Sequence, residues 1–183
     1  MRKLKHHEQR LLKKVNFYDW KSDKNIRENK VLKKFAIEDR EDYTKYNKIA
    51  NMIQKLVAAL RKLKKDDADR IKMTEILLDK LYSMCCIQSK QSLEDVVNFP
   101  ATALCRRRLP IVMTRHKFAP SHEDSIRMIR QGHVRIGPDL VTNPALHVTR
   151  DMEDHITWSE GSKIKQSVQD FKDERDDFEL LGL

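Results

Sequence analysis

Three consecutive arginines, Arg106, Arg107 and Arg108, stand at the head of a helical segment, and a basic turn, Gly132-His133-Val134-Arg135-Ile136-Gly137-Pro138-Asp139, follows it. Guanidinium groups repel one another and do not shed their protons, so a solid run of three is costly unless anions or water surround it. Neighbours on a helix are fanned about 100° apart, so the triplet cannot share one face. Something anionic, or much water, is therefore expected on more than one side of this helix. Joined to a short basic hairpin, the pattern points to RNA, whose phosphates guanidinium groups clamp bidentately. The candidate contacts from the first helix are Arg106, Arg107, Arg108, Arg115 and Lys117. The second helix offers Arg127 and Arg130, the turn offers His133 and Arg135, and a basic N-terminal arm offers Arg2, Lys3 and Lys5. One of the triplet is expected to pair with an internal acid, Arg107 with Glu94 or Asp95. His133 either contacts RNA or caps the preceding helix.

Other chemistry finds little footing. Cys85 and Cys86 are adjacent and lack the two-residue gap of a zinc-ligand pair, and His6-His7 has no partner pair at zinc spacing, so no metal is expected. No glycine-rich phosphate loop and no Gly-x-Ser-x-Gly occurs, so nucleotide hydrolysis and acyl transfer have no home and no cofactor is expected. Asp151, Glu153 and Asp154 crowd too closely for an acid/base pair and read as a solvated turn.

These side chains need a frame. Ile49, Met52, Ile53, Leu56, Val57, Leu60 and Leu63 recur at steps of three and four and predict a helix over 43–64. Ile76, Leu77, Leu81 and Met84 predict the buried side of a second over 69–84. A helix carrying Leu104, Leu109, Val112 and Met113 inward starts near Pro100 with Thr102 as its cap. It kinks or restarts at Pro110, which lacks an amide donor. Ser121 with Asp124 caps another helix over 121–131, and Gly132 stops it. Thereafter the period shortens. His133–Ile136, Leu140-Val141, Leu146–Thr149 and His155–Trp158 alternate as three or four short strands, and a short helix is expected within 163–172.

The chain has 183 residues and a net charge of +9, unevenly spread. Residues 1–90 hold 24 Lys/Arg against 13 Asp/Glu, whereas 151–183 hold 4 against 10. A basic body with an acidic tail suits a protein that binds a polyanion and also meets a basic surface. No apolar run approaches membrane-span length, and the first twenty residues are too charged for a signal peptide. Three cysteines without framework spacing fit a reducing compartment. At the N-terminus, residues 1–15 read as a helix-compatible basic arm, followed by an aromatic anchor of Phe17, Tyr18 and Trp20. The division expected is a basic arm with short helices over 1–42, a helical region over 43–100, an RNA-binding domain over 101–160 and an acidic tail over 161–183. The fold class is α+β, mostly α: an N-terminal helical region followed by a small RNA-binding domain of two helices and a short curled β-sheet.

Helix, helix, basic turn and short strands resemble the RNA-binding domain of small-subunit ribosomal protein S-four (S4). The likeness rests on Arg106-Arg107-Arg108-Leu109, Ile129-Arg130-Gln131-Gly132-His133-Val134-Arg135-Ile136 and Asn143-Pro144-Ala145-Leu146-His147-Val148-Thr149-Arg150. Further segments, among them residues 2–14, Arg40-Glu41-Asp42-Tyr43, Leu78-Asp79-Lys80-Leu81-Tyr82, Ser162-Lys163-Ile164-Lys165 and Glu174-Arg175-Asp176-Asp177-Phe178, are similar to the nucleolar branch of that family. Its members are the S4-domain components of the U-three (U3) small nucleolar ribonucleoprotein in the small-subunit processome. Only the connector at 85–99, with Cys85-Cys86-Ile87, departs from the pattern. The resemblance implies a non-catalytic subunit of the nucleus and nucleolus that binds U3 small nucleolar RNA and promotes its pairing with pre-ribosomal RNA. It also implies association with a phosphoprotein scaffold of the processome, and neither a membrane nor a small-molecule substrate. The alternatives are a structural protein of the mature small ribosomal subunit and an RNA-modifying enzyme, against which the lysine-rich first hundred residues argue.

Overall fold

The computed structural model describes residues 2–14, 22–64 and 66–172. The expected aromatic anchor and the last eleven residues of the acidic tail lie outside the described residues. The described part is α+β and mostly α. In chain order, the first helices are α1 (His6–Lys14), α2 (Ser22–Lys34), α3 (Arg40–Leu60) and α4 (Ala68–Ser83), followed by a 3-10 turn at Leu93–Val96. Next come α5 (Ala101–Cys105), α6 (Leu109–Arg115), α7 (His122–Arg130), β1 (Val134–Ile136) and β2 (Asp139–Leu140). Helix α8 (Arg150–Glu153), β3 (Ile156–Trp158) and α9 (Lys163–Lys172) complete it.

Helices α3 and α4 share a core with the segment that follows them. Ala50 and Val57 meet Leu78 and Leu81, and Val96, Phe99, Ala103 and Leu104 close the cluster. Gln54 donates to the Phe99 carbonyl at 2.8 Å and pins the connector onto α3. The expected inward stripe was too wide. Met52 is 61% exposed and Ile76 is 56% exposed, and Ile49, Leu56 and Leu63 also face outward. Six of the stripe's apolar positions lie on α3 and cover more arc than its neighbours can bury, so Ala50, Ile53 and Val57 take the core side, while Leu63 falls beyond the helix end.

The arginine triplet does not lie within a helix. Helix α5 ends at Cys105, Arg106 caps it, and Arg108 is extended at φ −66° and ψ 142°. The chain restarts at Leu109 with Pro110 in the first turn, where a missing amide costs nothing. Pro100 rather than Thr102 occupies the cap position of α5. Ser121 caps α7 as expected, its hydroxyl accepting from the Asp124 amide at 3.1 Å. At the other end Gly132, at φ +76°, and His133 return their amides to Ile129 and Met128, the paired bonds of a Schellman stop. The His133 backbone therefore closes this helix, while its imidazole shares a 2.9 Å hydrogen bond with Ser162.

Strands β2-β1-β3 form one antiparallel sheet, with Arg135 opposite Leu140 on one side and Thr157 on the other. Residues 146–149 do not join it. They run beside the arginine triplet instead: Leu109 donates to Leu146 at 3.0 Å and Val148 donates to Arg107 at 2.8 Å. The second core forms between these layers, from Leu109, Val112 and Met113 of α6, Ile129 of α7, Val134 and Ile136 of β1, and Val148 and Ile156.

Candidate nucleic-acid interface

Breaking the helix at the triplet sends its three side chains in different directions. Arg106 stays exposed and has no ion-pair partner among the described residues. Arg107 is 2% exposed and turns into the protein, where Nε donates to the Val148 carbonyl at 3.0 Å and Nη2 to the Thr149 carbonyl at 3.3 Å. Nη2 also meets Glu153 Oε2 at 2.7 Å. Arg108 is 4% exposed and turns the opposite way, donating from Nη1 to Asp42 Oδ2 and to the Tyr46 hydroxyl, both at 3.2 Å. Two of the triplet are thus internal rather than one. The acid that Arg107 meets is Glu153, not Glu94 or Asp95. A buried guanidinium must be paired and hydrogen-bonded, and both are. Arg107 and Arg108 are thus held inside by these partners, whereas Arg106 faces solvent.

Glu153 corrects a second expectation, since it is a hub rather than part of a solvated turn. Its Oε1 accepts from Arg115 at 2.6 Å and from His116 Nε2 at 2.7 Å, while Oε2 takes Arg107. Burial pushes this carboxyl up, yet the His116 and Arg107 hydrogen bonds and the charges of Arg107 and Arg115 outweigh it. They hold it down at about 2. Asp42, Tyr46 and Glu153 escaped sequence reasoning because each meets its arginine across dozens of residues, where no periodicity signals the pairing.

The remaining candidates are spread over several surfaces. Arg106 and Arg115 line a cavity between the 85–89 connector and α6, together with Arg150, whose guanidinium lies 4.1 Å from the Tyr82 ring centre. Arg127 and Arg130 border a groove against Leu32 and Ile37, where they pair with Asp124 and Glu38 at the surface. Such exposed pairs are worth little in water. Arg135, on β1, meets Glu160 at 2.7 Å and Thr157 at 3.2 Å. Lys117 is exposed at the α6–α7 turn with φ +62°. Arg2, Lys3 and Lys5 are exposed around the start of α1, with Arg2 paired to Glu8 at 2.7 Å. The frame beneath is stiffened by a small polar network: Thr114 and Ser125 share a 3.1 Å hydrogen bond, and His122 Nδ1 sits 3.0 Å from the same threonine hydroxyl.

The cysteines contribute packing. Burial pushes the Cys86 and Cys105 thiols up to about 11, so both stay protonated near neutral pH. His147 is held below its ordinary value by burial; its Nε2 donates to the Met84 carbonyl at 3.1 Å and ties residues 146–149 to the end of α4. Among the described residues no cluster of His, Cys, Asp and Glu could hold a metal ion, and no helix is long and apolar enough to cross a membrane.

Two family models cover this chain. The "Ribosomal protein S4/S9 N-terminal domain" matches residues 3–109, and the "S4 domain" matches 107–154, from the buried arginines to just past Glu153. A U3 small nucleolar ribonucleoprotein protein IMP3 from Saccharomyces cerevisiae is 46% identical across 98% of this chain and 99% of its own length. The protein of that name from Homo sapiens is 44% identical across 98% of each. The small ribosomal subunit protein uS4 of Thermoplasma volcanium is 25% identical over 82% of this chain and 76% of its own. The chain therefore belongs to the S4-domain family of U3 small nucleolar ribonucleoprotein IMP3 proteins, a relative of ribosomal protein uS4.

Proposed function

We propose that this protein is a non-catalytic RNA-binding subunit of the U3 small nucleolar ribonucleoprotein. It binds the U3 small nucleolar RNA and promotes its pairing with pre-ribosomal RNA during early small-subunit processing, in the nucleolus. The observation that carries the reading is an S4 frame that keeps Arg107 and Arg108 inside while displaying Arg106, Arg115, Lys117, Arg127 and Arg130 outside, with Arg135 half-buried on β1. End-to-end likeness to U3 ribonucleoprotein proteins supports the assignment to that particle. His133, Arg2, Lys3 and Lys5 extend the interface. An RNA junction can be gripped on several faces through its phosphates and 2′-hydroxyls, which is how A-form helices are held. The basic arm and acidic tail fit a second role, docking on a phosphoprotein scaffold of the processome.

The test uses the full chain with labelled U3 small nucleolar RNA and a pre-ribosomal RNA segment complementary to it. Replacing Arg127 and Arg130 with Glu is expected to weaken binding at least tenfold, to reduce the salt slope by about two, and to slow annealing of the two RNAs. Wild-type protein that binds neither RNA at moderate salt overturns the reading. Sedimentation in cells separates the alternative: residence on translating small subunits rather than on large pre-ribosomal particles would make it a mature ribosomal protein.

A further inference from the structure

The cavity beside the arginine break has an unfilled chemistry. It measures about 620 Å³ and is lined by Arg106, Arg107, Arg115 and Arg150, with Asp95 as the one carboxylate in its wall. Glu153 lies behind it and is shared among Arg107, Arg115 and His116. Four guanidinium charges therefore face at most two carboxylates. Arg107 supplies a second, independent sign. Its Nη1 is buried and finds no acceptor, although Nε and Nη2 are fully engaged. A buried guanidinium nitrogen without a partner is costly, and an anion in the cavity that this side chain lines would relieve it. Arg106 and Arg150 are exposed and carry no ion pair among the described residues. The opposite wall is different in kind: Ile87, Ala103 and the neutral thiol of Cys86 make it partly apolar.

We infer that this cavity holds a single nucleotide of the bound RNA. Arg106, Arg115 and Arg150 grip its phosphate, with Arg107 reinforcing from behind, and its base lies against the Cys85–Ile87 wall. The inference rests on the RNA-binding reading above and deepens it. An unpaired strand is the source the site fits. Its phosphates are accessible one at a time, and an unstacked base finds both an apolar wall and a guanidinium plane to lie on. The planar face of Arg150 is already held in place by Tyr82 at 4.1 Å, so little side-chain freedom is lost on binding.

The experiment titrates full-length protein with single-stranded oligouridine RNA and, separately, with U3 small nucleolar RNA, across a salt series. Arg150→Gln is expected to weaken oligouridine binding about tenfold and to lower the salt slope by about one. The U3 RNA, held also at the Arg127–Arg130 surface, loses less. Arg106→Gln, at an exposed position without an ion pair, repeats the measurement should Arg150→Gln fold poorly. Photocrosslinking with 4-thiouridine in the oligonucleotide is expected to label the Cys85–Ile87 peptide. Unchanged affinity and slope for both variants overturns the cavity assignment, and the RNA-binding reading survives if Arg127→Glu with Arg130→Glu still weakens U3 RNA binding at least tenfold. Unchanged RNA binding together with lost capture of a phosphoserine peptide also overturns it, making the cavity a protein-docking site. Absence of any wild-type RNA binding would instead sink the broader reading.

Discussion

Glu153→Gln is the most revealing single change, because one carboxylate joins Arg107 to the neighbouring pair Arg115 and His116 at the end of α6. The amide keeps the shape and can accept from one or two of these donors, but it removes the charge. A carboxyl held at about 2 instead of its ordinary 4.5 marks the interaction that would be lost. At about 1.4 kcal/mol per pKa unit, that depression sets a ceiling of about 3 kcal/mol. Glu153 is 17% exposed, so water screens part of it, and a loss of about 2 kcal/mol at neutral pH is expected. For a chain of this length that lowers the melting temperature by about 4–8 °C. Thermal unfolding followed by circular dichroism measures it. The pH dependence supplies the sharper test. Because the folded-state value is depressed, the stabilisation is present above about 4.5 and is lost as pH falls through about 2. Wild type and variant should therefore converge in acid. A variant equal to wild type at pH 7, or a gap that persists undiminished below pH 2, would refute the hub.

Three further outcomes are expected. Asp42→Ala strands the Arg108 guanidinium and should cost about 2–3 kcal/mol in urea unfolding, with RNA affinity of the folded protein within about twofold of wild type; a large affinity loss would mean Arg108 touches RNA after all. Gly132→Ala meets a φ of +76° and should destabilise by about 1 kcal/mol or more, since the left-handed turn that ends α7 resists a side chain. Cys86 and Cys105, raised to about 11 by burial, should react with a thiol reagent at pH 8 no faster than the protein opens, and stability should decline as pH climbs from about 9 toward 11. Prompt labelling of both in native protein would contradict the packing described.

Local signals carried much of the fold. The Ser121 cap, the Gly132 stop and the Pro110 restart each depend on neighbours within a few residues, and each is where its chemistry requires. The apolar stripe of α3 located the helix but misjudged its face, because the partners that cover a face are set by tertiary packing. Residues 146–149 alternate like a strand and are extended, yet their ladder partner is the arginine segment rather than the sheet. Alternation reports extension without naming the partner. The candidate site was legible as a set of basic residue types and illegible as a surface. Arg106 and Arg107 are adjacent in sequence, but only the fold separates the one that faces solvent from the one that holds Glu153. Glu153 itself looked like one acid among several in a polar turn.

Arg108 has a consequence for how this molecule can be taken apart. Its guanidinium belongs to the S4 half, but its acid and its phenol, Asp42 and Tyr46, belong to α3, while Ala103 and Leu104 just before it sit in the core of the helical region. A cut at residue 100 would leave a buried cation without its counter-charge in one fragment and an open apolar socket in the other. The two halves are thus not interchangeable modules joined by a tether, and an excised S4 fragment would report the affinity of a damaged protein. Arg106, two residues before this buried link, is therefore carried on a segment anchored to α3 as well as to the S4 half.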